Sequence, residues 1–154
     1  MRPVFNKDLF TFKTGLKTRF YEVDLQGVIH HSVMIKYFEI GRVEYWRELG
    51  ISYQDFLDSG LQYVVARVEC SYIKPLSFDM EITIMVRSSR ISKTSITYEY
   101  LIYNDKNECA VHGITVLVCL KTGKNKPYPL PKPYLDKVIS FEIDDSIDNK
   151  AYKH

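Results

Sequence analysis

The chain is 154 residues long, 45% apolar and 26% charged, the size and balance of one globular domain that buries roughly 70% of its unfolded surface. Those figures exclude long-range disorder, collagen-like repeats and a bundle of membrane helices. Twenty-one Lys and Arg against nineteen Asp and Glu leave a net charge of +2, spread along the chain, so no basic stripe argues for nucleic acid or an anionic bilayer as a partner.

The longest uncharged stretch, Cys109 to Leu120, has twelve residues, short of the roughly 20 that a spanning helix needs. Lys7 and Asp8 interrupt the place where a signal peptide would put its apolar core, so export is not expected. Cys70, Cys109 and Cys119 form neither an even framework nor a CxxC pair, and read as core thiols in a reducing, cytoplasmic compartment.

The elements follow in chain order. Phe10 to Val23 is rich in Phe, Thr, Tyr and Val and predicts an opening strand with Gly15 as a bulge, stopped by the turn Asp24-Leu25-Gln26-Gly27. From Ser32 the period becomes helical, with Met34, Tyr37, Phe38, Gly41, Tyr45 and Leu49 on one stripe. Val33, Ile35, Ile40, Val43 and Trp46 add apolar positions off that stripe, so this long helix should be enclosed by other elements. Gly50 stops it, and Ser52-Tyr53-Gln54-Asp55 opens a short second helix ending at Gly60. Four antiparallel strands follow as a meander. They are Leu61 to Lys74, with Val64, Ala66, Val68 and Cys70 on one face, then Met80 to Ile91, Ser95 to Tyr103 and Cys109 to Leu120. The prolines at 127, 129, 131 and 133 mark the end of the regular core. The fold class is α+β, a single domain over residues 1–154 with its core at about 10–135 and a C-terminal extension at 136–154.

The connection Tyr21-Glu22-Val23-Asp24-Leu25-Gln26-Gly27-Val28-Ile29-His30-His31 carries the chemistry. It puts a carboxylate beside a helix N-terminus, whose unpaired amides and positive dipole end favour anions and polarise carbonyl oxygens. Asp24 is thus a candidate nucleophile or general base facing an oxyanion site, although an Asp before a helix is more often a cap or turn residue. His30 and His31 would be metal ligands only with a third partner, which the spacing does not offer, and adjacent side chains are expected to diverge. No metal is expected. Glu39 and Arg42, three apart on the helix, read as a surface or interface pair.

The run from Tyr21 to Arg42 resembles the 4-hydroxybenzoyl-CoA thioesterase family of hotdog-fold acyl-CoA thioesterases, particularly the bacterial branch associated with the Tol-Pal envelope system. Tyr21-x-x-Asp24, Gly27, His31, Glu39 and Arg42 fall at the family's places. Tyr72-Ile73-Lys74-Pro75, Phe78-Asp79, Ser95 to Tyr100, Thr122-Gly123-Lys124 and Pro129-Leu130-Pro131 match further on. Val33 and Met34 depart from it, standing where Asn and Tyr are usual.

The resemblance implies a hotdog, a five-stranded antiparallel sheet wrapped around one long central helix. It implies hydrolysis of acyl-CoA to acid and coenzyme A, with no cofactor, coenzyme A being part of the substrate. Asp24, His31 through its backbone N–H, and Tyr21 would form the catalytic group. Gly27, Val28, Val33 and Met34 would border the acyl group, and Met34 favours an aliphatic one. Arg90, Lys93, Thr94 and Ser95 would meet the coenzyme. A homo-oligomer is implied, dimer or tetramer, joined edge to edge with active sites at the subunit boundary. The competing expectations are an acyl-carrier-protein thioesterase, a hotdog dehydratase and a non-catalytic acyl-binding or envelope-complex module.

Overall fold

A computed structural model describes residues 5–142. Five strands, β1 (Phe12–Lys17), β2 (Leu61–Tyr72), β3 (Glu81–Ile91), β4 (Ser95–Tyr103) and β5 (Cys109–Lys121), form one antiparallel sheet in the order β1-β3-β4-β5-β2. Three helices, α1 (Val33–Glu48), α2 (Tyr53–Asp58) and α3 (Lys132–Phe141), complete the α+β architecture.

The expected opening strand is shorter than its composition suggests. The strand ends at Lys17, although Thr18 still gives its amide to the Met80 carbonyl at 2.9 Å, and the Thr18 hydroxyl donates to the Ser77 carbonyl at 2.6 Å and accepts from the Met80 amide at 2.9 Å. Arg19 then gives its amide to the Glu22 carboxylate at 2.8 Å, and Phe20–Glu22 turns as a single 3-10 turn. At Arg19 a local side chain–backbone bond has taken the place of sheet pairing. Gly15 is not a bulge, since the β1–β3 register runs unbroken through it. The register shifts lie instead between Val65 and Arg67, between Ser88 and Arg90, and between Ile102 and Tyr103.

The meander holds for β3, β4 and β5 only. β2 does not pair with β3; it crosses to the far edge and pairs with β5 from Leu61↔Lys121 to Tyr72↔Val111. That edge position overturns the expected buried face, because Val64 and Val68 are exposed and Ala66 with them. Residue alternation on β2 reported a strand correctly, but not that α2 and α1 cover only its Leu61–Tyr63 end, where Tyr63 stacks on Phe56, and leave Val64 to Val68 exposed.

α1 lies against the sheet through Tyr37, Phe38 and Tyr45, each fully buried. Close approach here requires glycine. A Cβ on Gly41 would stand 2.7 Å from Ile84 Cγ2, and one on Gly113 only 2.1 Å from the Phe38 ring. Phe38 in turn stacks on Tyr100, with centroids 4.5 Å apart. The helix ends at Gly50, at φ +66, where the Ile51 amide reaches back to the Trp46 carbonyl at 2.9 Å and the Gly50 amide to Arg47 at 3.1 Å, the doubly bonded stop that a left-handed glycine permits. Ser52 caps α2 by accepting from the Asp55 amide. Ile35 and Val43 remain exposed on α1, so in one chain the helix is covered on one side rather than enclosed.

The proline-rich run does not end the core. Leu130 is buried just before α3, and α3 carries buried Tyr134, Leu135 and Val138 past the predicted boundary at residue 135. Buried Glu142 closes it, accepting from the Tyr45 hydroxyl at 2.6 Å and the Ser88 amide at 2.7 Å. Burial pushes its carboxyl above the usual range, against the pull of those donors and of Arg87. Residues 143–154 of the predicted extension lie outside the described residues.

Candidate active site

The connection into α1 is a tight loop that holds itself. Asp24 donates its amide to the Val28 carbonyl at 2.8 Å, and Gly27, at φ +79, returns its amide to the Asp24 carbonyl at 3.1 Å. One oxygen of the Asp24 side chain, Oδ1, accepts from the amides of Gln26 at 2.8 Å and Val28 at 3.4 Å. The turn therefore fixes the carboxylate through Oδ1, and among the described residues Oδ2 has no hydrogen-bond partner. The loop is then stitched to the body, with Val28 bridged to Ser77 and the Ile29 amide bonded to the Leu76 carbonyl at 2.8 Å.

Glu22 holds the base of this loop. Its carboxylate is buried and accepts from the Arg19 amide, from Arg19 Nη1 at 3.1 Å and from the Tyr37 hydroxyl at 2.5 Å, while its own carbonyl accepts from the His30 amide at 2.8 Å. Burial first, and then the neighbouring carboxylate, pushes the Tyr37 phenol far above its ordinary range, so it stays a neutral donor. Sequence reasoning passed over both residues. Arg19-x-x-Glu22 is a capping-box spacing, which was the available signal, whereas nothing local marks Tyr37 as its partner.

At the start of α1, the Val33 amide bonds to the His30 carbonyl at 3.0 Å and the Ser32 amide to His30 Nδ1 at 3.2 Å. The His31 amide has no acceptor among the described residues. Its carbonyl is held by the Tyr72 hydroxyl at 3.0 Å, a phenol pushed up to about 12 by burial and by the nearby Cys70 thiol. The expectation that the two imidazoles diverge is corrected: their centroids are 4.1 Å apart. The His31 ring lies against His30 and Tyr72 and makes no hydrogen bond to Asp24. No group of three His, Cys, Asp or Glu suited to a metal occurs among the described residues.

These parts share a cleft of about 370 Å³ lined by Asp24, Val28, His31, Met34, Tyr72 and Leu76 among others. Of the predicted site residues, Asp24, Val28, His31 and Met34 meet there. Gly27 shapes the loop behind them, and Val33 is buried beside Met34 in the first turn of α1. Tyr21 is 79% exposed and does not line the cleft. Arg90, Lys93, Thr94 and Ser95 are not brought to it within one chain. They sit at the β3–β4 hairpin, where Ser95 pairs with Val118 and the Thr94 carbonyl accepts from Cys119. Tyr72, beside the cleft, pairs with Val111 at the other end of β5. The seven residue steps along β5 from Val111 to Val118 make that separation roughly 23 Å at the usual rise. Arg42 pairs with Glu39 at 4.0 Å, as their spacing predicts, but its place is corrected: it is buried rather than at the surface, and donates from Nη1 to the Tyr100 hydroxyl at 3.2 Å.

A loop carboxylate and a helix-start amide without an acceptor among the described residues border one cleft. Residues 18–138 match the thioesterase-like superfamily, and the chain belongs to it. It is a thioester hydrolase with a hotdog-like α+β fold. A putative esterase from Aquifex aeolicus is 34% identical over 109 residues, 70% of this chain and 84% of that one. A DHNA-CoA thioesterase from Staphylococcus aureus superposes with a TM-score of 0.78 at 30% identity, covering 83% of this chain and 87% of its own. A Thermus thermophilus thioesterase complexed with coenzyme A and Zn gives a TM-score of 0.76 at 30% identity, covering 88% of this chain and 96% of its own.

Proposed function

We propose that the protein hydrolyses acyl-CoA thioesters to free acid and coenzyme A, with Asp24 as the reacting carboxylate. The observation that carries this reading is the division of labour at that side chain: Oδ1 is engaged by the amides of Gln26 and Val28, which leaves Oδ2 fixed in direction but chemically free. As general base, Oδ2 takes a proton from water as the water oxygen adds to the thioester carbon. As nucleophile, it forms the acyl bond itself, and water then cleaves the resulting anhydride. Either way the carbonyl oxygen becomes an oxyanion, which the His31 N–H stabilises, and collapse expels the thiolate. In the first route the thiolate takes up the proton that Oδ2 received. In the second it takes a proton from solvent, while the water that later cleaves the anhydride gives its own proton to solvent. Removing one such donor costs about 3–4 kcal/mol of transition-state stabilisation.

The separation of the Arg90 to Ser95 hairpin from the cleft supports a homodimer built on β2. Its edge is open and carries Val64, Val65, Val68 and Tyr72 exposed. Antiparallel pairing of two such edges about a two-fold axis would reverse one chain against the other, carrying one hairpin toward the other chain's cleft. The described residues contain no helix long and apolar enough to cross a membrane, and a buried Cys119 thiol, pushed up to about 11 by burial, suits the reducing interior of a cell.

The test is released thiol from short, long and aromatic acyl-CoAs with wild type and Asp24→Asn. Loss of roughly 10²–10⁴ in rate is expected for the variant; full activity in folded Asp24→Asn would remove Asp24 from the reaction. Retained acyl-CoA binding with no thiol release from wild type would replace hydrolysis by simple binding.

A further inference from the structure

The amides that lead into α1 need acceptors from outside the helix, and most of them have one. The Val33 amide donates to the His30 carbonyl at 3.0 Å, the Met34 amide to the His31 carbonyl at 3.4 Å, and the Ser32 amide to Nδ1 of the His30 ring at 3.2 Å. From His31 to Met34, the His31 amide alone has no acceptor among the described residues. Ser32 stands at the cap position of α1, yet its side chain makes no cap hydrogen bond; its hydroxyl lies 2.7 Å from the same Nδ1. The imidazole does here what an Asn or Asp side chain does at other helix starts. A backbone amide can only donate, so Nδ1 accepts and the proton of the neutral ring sits on Nε2. The peptide unit between His31 and Ser32 is thus held at both ends, its N–H by His30 Nδ1 and its carbonyl by the Tyr72 hydroxyl at 3.0 Å. The unit before it, which carries the His31 N–H, is held at its carbonyl by the Val33 amide. Two planar units fixed on either side of the His31 Cα leave that N–H little freedom of direction. His30 itself is exposed and does not line the Asp24 cleft.

We propose that His30 is a positioning residue for thioester hydrolysis. By capping the Ser32 amide through Nδ1, it leaves the His31 N–H as the donor for the oxyanion and fixes the direction of that N–H. The inference rests on the hydrolytic reading above. A preorganised donor works by already pointing at the place where charge develops, and His30 stands outside the cleft, so its effect belongs in kcat and not in KM.

Two substitutions separate the acceptor from the ring, which stacks at 4.1 Å against His31. His30→Asn keeps an acceptor, because Oδ1 stands as many bonds from Cβ as Nδ1 does, and loses the ring. His30→Phe keeps a ring and loses the acceptor. Both, with fold checked by circular dichroism, are assayed by thiol release, and amide exchange at Ser32 and His31 is followed by NMR. His30→Phe should lower kcat at least about tenfold with KM within about twofold of wild type. It should also speed Ser32 amide exchange at least about tenfold, and His30→Asn should bring both back toward wild type. In wild type itself the Ser32 amide should exchange more slowly than the His31 amide. Full kcat in folded His30→Phe, an equal loss in both variants, or a loss carried by KM would each overturn the role. Ser32 exchange as fast as that of His31 in wild type, or unchanged in His30→Phe, would overturn the hydrogen bond beneath it. Absence of thiol release from wild type, with Ser32 exchange as expected, would remove the hydrolytic reading and this role together. A normal wild-type rate that His30→Phe leaves unchanged would remove this role alone.

Discussion

The Tyr37 hydroxyl, from the second turn of α1, donates to the Glu22 carboxylate at 2.5 Å across the base of the loop that carries Asp24. It joins the helix start to the loop from inside the protein, where neither group meets water. The Asp24 carboxylate is thereby positioned from behind by residues that do not line its cleft.

Tyr37→Phe removes that donor and leaves a buried carboxylate oxygen with one bond fewer. The expected cost is about 1–3 kcal/mol of stability, read as a fall in denaturation midpoint. Thiol release should drop through kcat more than KM, since the loop loses its placement and not its contact with substrate. An unchanged midpoint and rate would mean that Arg19 alone suffices to hold Glu22.

Gly113→Ala puts a methyl where the Phe38 ring already stands, with 2.1 Å from Cβ to ring carbon. Phe38 is fully buried and stacked on Tyr100, so it has no solvent into which to swing. Overpacking of this kind costs about 1–3 kcal/mol or more. Phe38→Leu in the Gly113→Ala background should recover part of the loss, although Phe38→Leu alone destabilises. Additive losses in the double variant would show that the two sites do not touch.

Glu142 gives a pH dependence of definite sign. Burial raises its pKa in the folded chain above the ordinary value of 4.5, so the folded state binds the proton more tightly than the unfolded one. Its contribution is fully present below that ordinary value and is lost as pH rises through the folded pKa. Glu142→Gln should therefore flatten the decline of thermal stability as pH rises above 4.5, when melting is followed across acidic to neutral pH. A slope identical to wild type would show that the carboxyl is solvated at the end of α3.

Much of the architecture was written locally. The 3.6-residue spacing of Tyr37, Phe38, Gly41 and Tyr45 defined α1, Gly50 and Gly60 its stop and that of α2, and β4 was read to its ends, because helix period, strand alternation and left-handed turns are properties of neighbouring residues. The loop with Asp24 before a helix start was legible for the same reason, and family motifs gave it a chemistry. What tertiary structure alone decided are the partners of long separation. β2 crosses to the far edge, Glu142 reaches Tyr45 and Ser88, Arg42 goes inside against Tyr100, and the Arg90 to Ser95 hairpin stands at the end of the sheet away from Asp24. Each depends on which strand lies beside which, and a residue's own neighbours carry no record of that choice. Burial and pairing are set by surfaces meeting across tens of residues, so they become visible only once the chain has closed on itself.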